Sequence, residues 1–213
     1  MISSSHPATK QDTWVIEALR DLLPFAYSYP VKSPFTALEL GGYDGVTHSN
    51  TLQLETVYGA RCTLIEAVPY FFNKMKKNRP KAKCINAAIA GSPANLMRFY
   101  CNGEWSGLVR DMPEACIREH EARNSVELTV DVRPLSHYIE PCHFNYISLD
   151  TEGSEAAILE AWVRQGGTCD ALTVEFNFDA DRYYKLCRIA EKADLELVEV
   201  RGFDLCFLRK GLR

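Results

Sequence analysis

The fold is constrained most by residues 38–50, which read L-E-L-G-G-Y-D-G-V-T-H-S-N. An apolar run ends in glycines, and polar residues of the kind that open helices follow. This pattern is typical of a buried strand that turns directly into a helix, as in nucleotide-binding α/β sheets. Glycine lets the backbone approach a ligand closely. We therefore predict a ligand site at this turn.

The spacing of the glycines limits the ligand. Counted from Gly41, the dinucleotide pattern G-x-G-x-x-G needs glycine where the chain has Tyr43 and Val46. Glu39 precedes the turn, and Glu66 ends the next apolar run, where an acid can reach ribose hydroxyls. Ribose and adenine without a diphosphate indicate S-adenosylmethionine rather than NAD. The residues predicted to bind it are Glu39, Gly41, Gly42, Gly45, Asn50, Glu66, Ala67, Asn86 and Ala87.

Apolar periodicity and turn residues predict alternating strands and helices, which implies a mostly parallel sheet in a Rossmann-like α/β fold. The last two strand-like runs, 196–200 and 205–208, are only four residues apart. A parallel crossover needs about a dozen, so these runs are predicted to form a C-terminal antiparallel hairpin, as in methyltransferases. The other predicted strands are 36–40, 62–66, 82–86, 96–101, 126–132, 146–150 and 171–176, and the predicted helices are 11–27, 49–58, 69–78, 114–120, 154–164 and 181–193.

Length and composition limit the class of protein. The 213 residues are 46% hydrophobic, which suits one domain over 11–213 with a flexible tail at 1–10 and an insertion at 102–124. The net charge of −4 argues against a nucleic-acid partner. Eight cysteines lack the spacing of zinc or disulfide frameworks, which favours a reducing, cytoplasmic location. No apolar run approaches the ~20 residues of a membrane span.

Acids gather where the fourth and fifth main-sheet strands are predicted to end. Asp150, Glu152 and Glu175 are the candidate catalytic residues, with Asp150 as the base, because ligands bind at the carboxyl ends of strands. Asp150, Glu175 and Asn177 also form an oxygen set suited to a divalent cation such as Mg²⁺. Substrate hydrogen bonding without a metal is the alternative. Trp105, in the insertion, is a candidate for stacking on a sugar or for anchoring its loop.

These motifs resemble those of the FkbM family of S-adenosylmethionine-dependent methyltransferases. The similar segments include D-G-V-T-H-S-N-T at 44–51, N-R-P at 78–80 and S-L-D-T-E-G-S-E at 148–155, and the resemblance covers about 36–208. It implies O-methylation of hydroxyls, often on sugars or glycosylated products.

The sequence as a whole predicts an S-adenosylmethionine-dependent O-methyltransferase. The acceptor would be a small molecule or carbohydrate, and a homodimer is among the assemblies that the sequence allows. The alternatives are a non-catalytic module that binds the cofactor or a nucleotide, and a sugar-nucleotide enzyme. Three acids at the reaction end argue against the first, and the missing diphosphate turn argues against the second.

Overall fold

The computed structural model describes residues 3–23, 34–92, 94–103 and 105–212. Its main feature is a seven-stranded sheet in which all neighbouring strands are parallel except β11, which is antiparallel to both of its neighbours. The predicted C-terminal hairpin is confirmed. In spatial order the strands are β10 (Leu195–Arg201), β11 (Asp204–Arg209), β9 (Thr168–Glu175), β8 (His143–Leu149), β1 (Thr36–Leu40), β2 (Arg61–Glu66) and β3 (Lys83–Asn86).

Helices cover both faces of this sheet. Ala37 and Tyr146 point to one face and pack with α1 to α3, whereas Leu38 and Ile147 point to the other and pack with α5 and α6. This alternation along parallel strands is that of a Rossmann-like α/β fold, as predicted. The helices are α1 (Gln11–Ala18), α2 (Leu52–Thr56), α3 (Pro69–Asn78), α4 (Glu114–Ala122), α5 (Glu155–Arg164) and α6 (Ala180–Lys192).

Two helices are shorter than the sequence predicts. The first, predicted over 11–27, ends at Ala18 and continues as turns to residue 23, and residues 24–27 lie outside the described part of the chain. The second, predicted over 49–58, spans only Leu52–Thr56. Residues 49–51 before it are not helical, and there the N–H of Asn50 donates to Glu39 at 2.7 Å.

A smaller sheet stands beside the carboxyl ends of the main strands. Its two long strands pair antiparallel and flank the predicted insertion at 102–124, which contains α4. Phe99, Leu108 and Val132 pack with Val68 and Phe71 into a third apolar cluster that joins this sheet to the main domain. In spatial order its strands are β4 (Ala88–Ile89), β7 (Val126–Arg133), β5 (Ala94–Cys101) and β6 (Gly107–Leu108).

From residue 3 onward the N-terminal segment makes hydrogen bonds to the rest of the domain, and the flexible tail predicted for residues 1–10 stays a prediction. Asp12 is fully buried, and its carboxylate accepts hydrogen bonds from the N–H of Ser4 at 2.6 Å and from Gln53 Nε2 at 2.9 Å. The hydroxyl of Ser4 donates to the carbonyl of Ser49 at 2.9 Å. A buried carboxylate requires such donors, and the serines at 3–5 supply them.

None of the helices in the described ranges has the length and apolar character that a bilayer crossing requires.

Candidate active site

A cavity of about 590 Å³ opens at the carboxyl ends of the main strands, between the two sheets. β1 and β8 are paired here, but the chain leaves them in opposite directions, toward β2 and toward β9. Ligands of open α/β sheets bind at such a switch point. Residues from the turns after β1, β2, β8 and β9 and from the insertion line this cavity together.

The glycine turn forms the floor of the cavity. The N–H groups of Gly41 and Gly42 both donate to the carbonyl of Ile65 at 3.0 Å. Gly41 has a φ of +82°, and a Cβ built there would overlap the carbonyl oxygen of Asp150. Gly41 and Gly42 line the cavity, but Gly45 does not. A Cβ at Gly45 would lie 2.8 Å from Arg79 Cγ, so this glycine allows the turn to pack on α3.

Glu39, near the end of β1, lines the cavity and is 2% exposed. Its Oε2 accepts hydrogen bonds from the hydroxyls of Ser49, at 3.0 Å, and Thr51, and its Oε1 accepts the N–H of Asn50 at 2.7 Å. Asn50 in turn donates from Nδ2 to Ser148 Oγ at 2.9 Å, which ties the glycine turn to β8. A carboxylate can accept more hydrogen bonds than these three, so Glu39, which lines the cavity, has acceptor capacity left for a ligand.

Glu66 lies farther along the same wall. Its carboxylate accepts the N–H groups of Tyr43 at 2.9 Å and Val68 at 2.7 Å, and burial raises its pKa to about 7. Ala67 and Ala87 line the cavity beside it. Asn86 does not line it: its Nδ2 donates to the carbonyls of Glu66 at 2.8 Å and Ala67 at 3.0 Å, so it holds the loop from behind.

Asp150, Glu152 and Glu175 meet just beyond the ends of β8 and β9, where one carboxylate oxygen of each lies within 4.8 Å of the others. Glu175 is 5% exposed, and its Oε2 has no hydrogen-bond partner among the described residues. Burial, followed by repulsion from neighbouring acids, raises the pKa of Asp150 and Glu175 well above the usual range and that of Glu152 to about 7. The cluster therefore suits proton sharing or a cation. Asn177 lines the same cavity from the next loop.

Replacing Glu175 with glutamine is expected to stabilise the protein at pH 8, by about 1 kcal/mol. The folded-state pKa of Glu175 is raised, so its contribution to stability is present below the unfolded pKa and is lost as pH rises through the folded one. The gain should therefore shrink at pH 5. Thermal unfolding at both pH values measures it, with Glu160→Gln on the exposed side of α5 as control. An equal gain at both pH values would contradict the argument.

Glu155, three residues beyond Glu152, has a structural role. Its Oε1 accepts hydrogen bonds from the N–H groups of Thr151 at 2.8 Å and Gly153 at 3.0 Å, so it holds the turn that leads into α5. Arg182 pairs with its other oxygen at 3.6 Å.

The insertion forms the outer wall. Trp105 is 51% exposed, and the guanidinium of Arg123 lies 4.7 Å from the centroid of its indole ring. Glu119 pairs with Arg123 at 2.5 Å, and all three residues line the cavity. This wall is an indole ring with a guanidinium over one of its faces and a carboxylate paired with that guanidinium.

Sequence reasoning missed the contribution of both chain termini to the cavity. His6, Thr9 and Gln11 line it from the N-terminal side, and Phe203 lines it from the β10–β11 turn. Gln11 Oε1 accepts the hydroxyl of Thr173 at 3.1 Å. No pattern in the polar segment 3–11 indicates these contacts, because they exist only once β8, β9 and β11 have assembled.

The family model described as "Methyltransferase FkbM domain" matches residues 39–197, most of the chain. The chain belongs to the FkbM methyltransferase family. It is therefore an S-adenosylmethionine-dependent methyltransferase, and the resemblance drawn from its motifs is confirmed. No sequence match is found among curated proteins.

Solved structures of methyltransferases resemble this FkbM methyltransferase in fold. An FkbM methyltransferase from Methylobacillus flagellatus is 14% identical, with a TM-score of 0.49; the match covers 96% of this chain and 55% of that one. A TehB-like S-adenosylmethionine-dependent methyltransferase from Corynebacterium glutamicum is 15% identical, with a TM-score of 0.47 and coverages of 94% and 88%. A precorrin-6y C5,15-methyltransferase from Geobacter metallireducens is 10% identical, with a TM-score of 0.46 and coverages of 92% and 85%.

Proposed function

We propose that the protein transfers the methyl group of S-adenosylmethionine to a hydroxyl of a sugar, a glycan or a glycosylated small molecule. The observation that carries the proposal is that one cavity joins the glycine turn, the acid cluster and the Trp105 wall. Carboxylates suit a hydroxyl acceptor because they can take its proton. An indole edged by Arg123 and Glu119 suits a sugar, which has an apolar face and hydroxyls at its rim.

The order of residues along the cavity supports an orientation for the cofactor. Ala67 and Ala87 would accept the adenine, Glu66 the ribose hydroxyls, and Glu39 the cationic amino-acid end. The methyl group would then face Asp150, whose backbone touches the glycine turn. Gly41 and Gly42 leave room for the cofactor against the main chain. Gly45 and Asn86 contribute by holding the surrounding loops.

The reaction is an in-line displacement. The acceptor oxygen attacks the methyl carbon, the bond from that carbon to sulfur breaks with its electron pair, and the hydroxyl proton passes to Asp150. The products are the methyl ether and S-adenosylhomocysteine. The sulfonium already activates the methyl group, so positioning supplies most of the rate. Burial beside other acids raises the pKa of Asp150, which makes its carboxylate a stronger base than an exposed aspartate.

A divalent cation such as Mg²⁺ is part of the proposal, with Asp150, Glu152 and Glu175 as its oxygen ligands and Asn177 next to them. The unpartnered oxygen of Glu175 and the raised pKa values support it, since a cation would relieve the repulsion. Bound there, it would acidify the acceptor hydroxyl. Millimolar Mg²⁺ should then raise the thermal midpoint of the protein at pH 8 but not that of Glu152→Gln. If Mg²⁺ does not shift the thermal midpoint and the enzyme keeps full activity in chelator, the proposed cation site is wrong.

Cofactor affinity is expected to rise with pH through about 7, the pKa of Glu66. Ribose hydroxyls donate to a carboxylate, so binding favours its ionised form and releases protons below that pH. Calorimetry in two buffers of different ionisation enthalpy measures the release. Glu66→Gln should abolish the pH dependence and weaken binding by ~1–3 kcal/mol. A pH-independent affinity of the unmodified protein would contradict a ribose contact to Glu66.

The function is tested by incubating the protein with radiolabelled S-adenosylmethionine and a panel of acceptors. Label should enter sugars, glycans and glycosides. The variant Trp105→Ala should raise KM for these acceptors more than it lowers kcat. Label only in proteins, nucleic acids or amines would overturn the acceptor class. Binding without any transfer would favour the alternative, a non-catalytic cofactor-binding module. Cytoplasmic location and a homodimer stay predictions.

A further inference from the structure

Asn78, the last residue of α3, and Arg79, which follows it, line no part of the cavity, yet both side chains end on the glycine turn. Asn78 Nδ2 donates to the carbonyl of Asp44 at 2.8 Å. Arg79 Nη1 donates to the carbonyl of Gly45 at 3.1 Å, and its guanidinium pairs with Glu55 at 2.9 Å. Arg79 is 1% exposed, and a cation buried so deeply must be compensated by partners of this kind.

Arg79 is also joined to Glu39 through two hydroxyl groups. Its Nη1 donates to Ser49 Oγ at 3.1 Å and its Nη2 to Thr51 Oγ1 at 3.2 Å. Each of these hydroxyls donates in turn to Glu39 Oε2. Ser49 is 2% exposed and Thr51 is fully buried, so water does not compete at either link.

These two links fix the direction of every hydrogen bond that joins Arg79 to Glu39 through the hydroxyls. A hydroxyl has one proton to donate and two lone pairs with which to accept. Because a guanidinium can only donate, Arg79 occupies a lone pair of each hydroxyl and leaves its proton for Glu39. Without that donor, Ser49 and Thr51 could turn toward other acceptors, and the carboxylate would lose its fixed orientation.

We propose that Arg79 is a positioning residue that acts through Ser49 and Thr51 to hold Glu39 for the amino-acid end of S-adenosylmethionine. The proposal rests on the cofactor orientation proposed above. It assigns Arg79 an effect on one part of the cofactor, the part that Glu39 binds. A residue that only supported the glycine turn would affect adenine, ribose and amino-acid end alike.

The test compares two ligands by calorimetry. S-adenosylhomocysteine carries the amino-acid group, and methylthioadenosine keeps adenine, ribose and thioether but lacks it. Arg79→Lys, which keeps the charge but loses the planar fork, should weaken S-adenosylhomocysteine by about tenfold or more and methylthioadenosine by less than about twofold. Lys77→Met, an exposed residue on the same helix, is the control and should change neither ligand.

A double variant tests whether Arg79 acts on the cofactor through Glu39. In a Glu39→Gln background, Arg79→Lys should have little further effect on S-adenosylhomocysteine, because coupled residues are not additive. If Arg79→Lys does not fold, Ser49→Ala combined with Thr51→Val removes both links while keeping the cation, and should show the same selective loss. Equal weakening of both ligands, or additive effects with Glu39→Gln, would overturn the role of Arg79. Failure of the unmodified protein to bind either ligand would overturn the proposed cofactor site instead.

Discussion

Replacing Asp150 with asparagine is expected to lower turnover by ~10²-fold or more, the low end for the loss of a general base. Affinity for S-adenosylmethionine should stay within a few-fold, because the proposed cofactor contacts are made by other residues. Asparagine has nearly the same shape but cannot take a proton from the acceptor hydroxyl. Single-turnover kinetics and calorimetry on the same preparation separate the two effects.

The matched control is Asp21→Asn, an exposed aspartate, which should leave turnover unchanged. The pH profile adds a second readout, because the raised pKa of Asp150 should appear as the acidic limb of kcat in the unmodified enzyme. Full turnover in Asp150→Asn would show that the base is elsewhere. His48, which also lines the cavity, would then be the next residue to replace.

The second large effect is expected from Gly41→Ala. The added Cβ would overlap the carbonyl oxygen of Asp150, which is backbone and cannot swing aside. β1 and β8 would have to separate at the point where the glycine turn meets Asp150. We expect cofactor binding to be lost and the free energy of unfolding to fall by more than the ~1–3 kcal/mol of backbone strain alone.

Gly59→Ala provides the control for that strain. Gly59 has a φ of +68°, close to that of Gly41, but nothing lies within 4 Å of a Cβ built there. It should therefore show the cost of the left-handed backbone without the overlap, and it should bind the cofactor normally. The comparison uses chemical denaturation and calorimetry. Similar losses in both variants would mean that the contact between Gly41 and Asp150 does not matter.

Features set by local sequence could be predicted, and features set by packing could not. The turn after β1 follows from glycines and an apolar run, and the β10–β11 hairpin follows from a short connection. Gly45 illustrates the limit: its sequence context suggests a ligand contact, but only packing shows that it faces Arg79 and Met75. Asn86 was likewise predicted to bind the cofactor, yet its amide is turned toward two backbone carbonyls.

The candidate site shows the same division. Glu39, Glu66 and Asp150 stand at strand ends that apolar periodicity indicates, so their convergence follows from a parallel sheet. The participation of Gln11 depends on how α1 packs over three strands, and a single sequence contains no signal for that. The closeness of Glu152 to Glu175 depends on a left-handed backbone, with a φ of +57° at Glu152.

The bond from Gln11 to Asp204 also has a kinetic meaning. The two residues are 193 positions apart, and contacts of high sequence separation form slowly because the chain must lose much entropy first. The successive β-α units in the middle of the chain can pair earlier, since their contacts are local. We therefore expect the cavity to close in the last stage of folding. A ribosome-bound chain that has not yet released β11 would lack this part of the cavity wall.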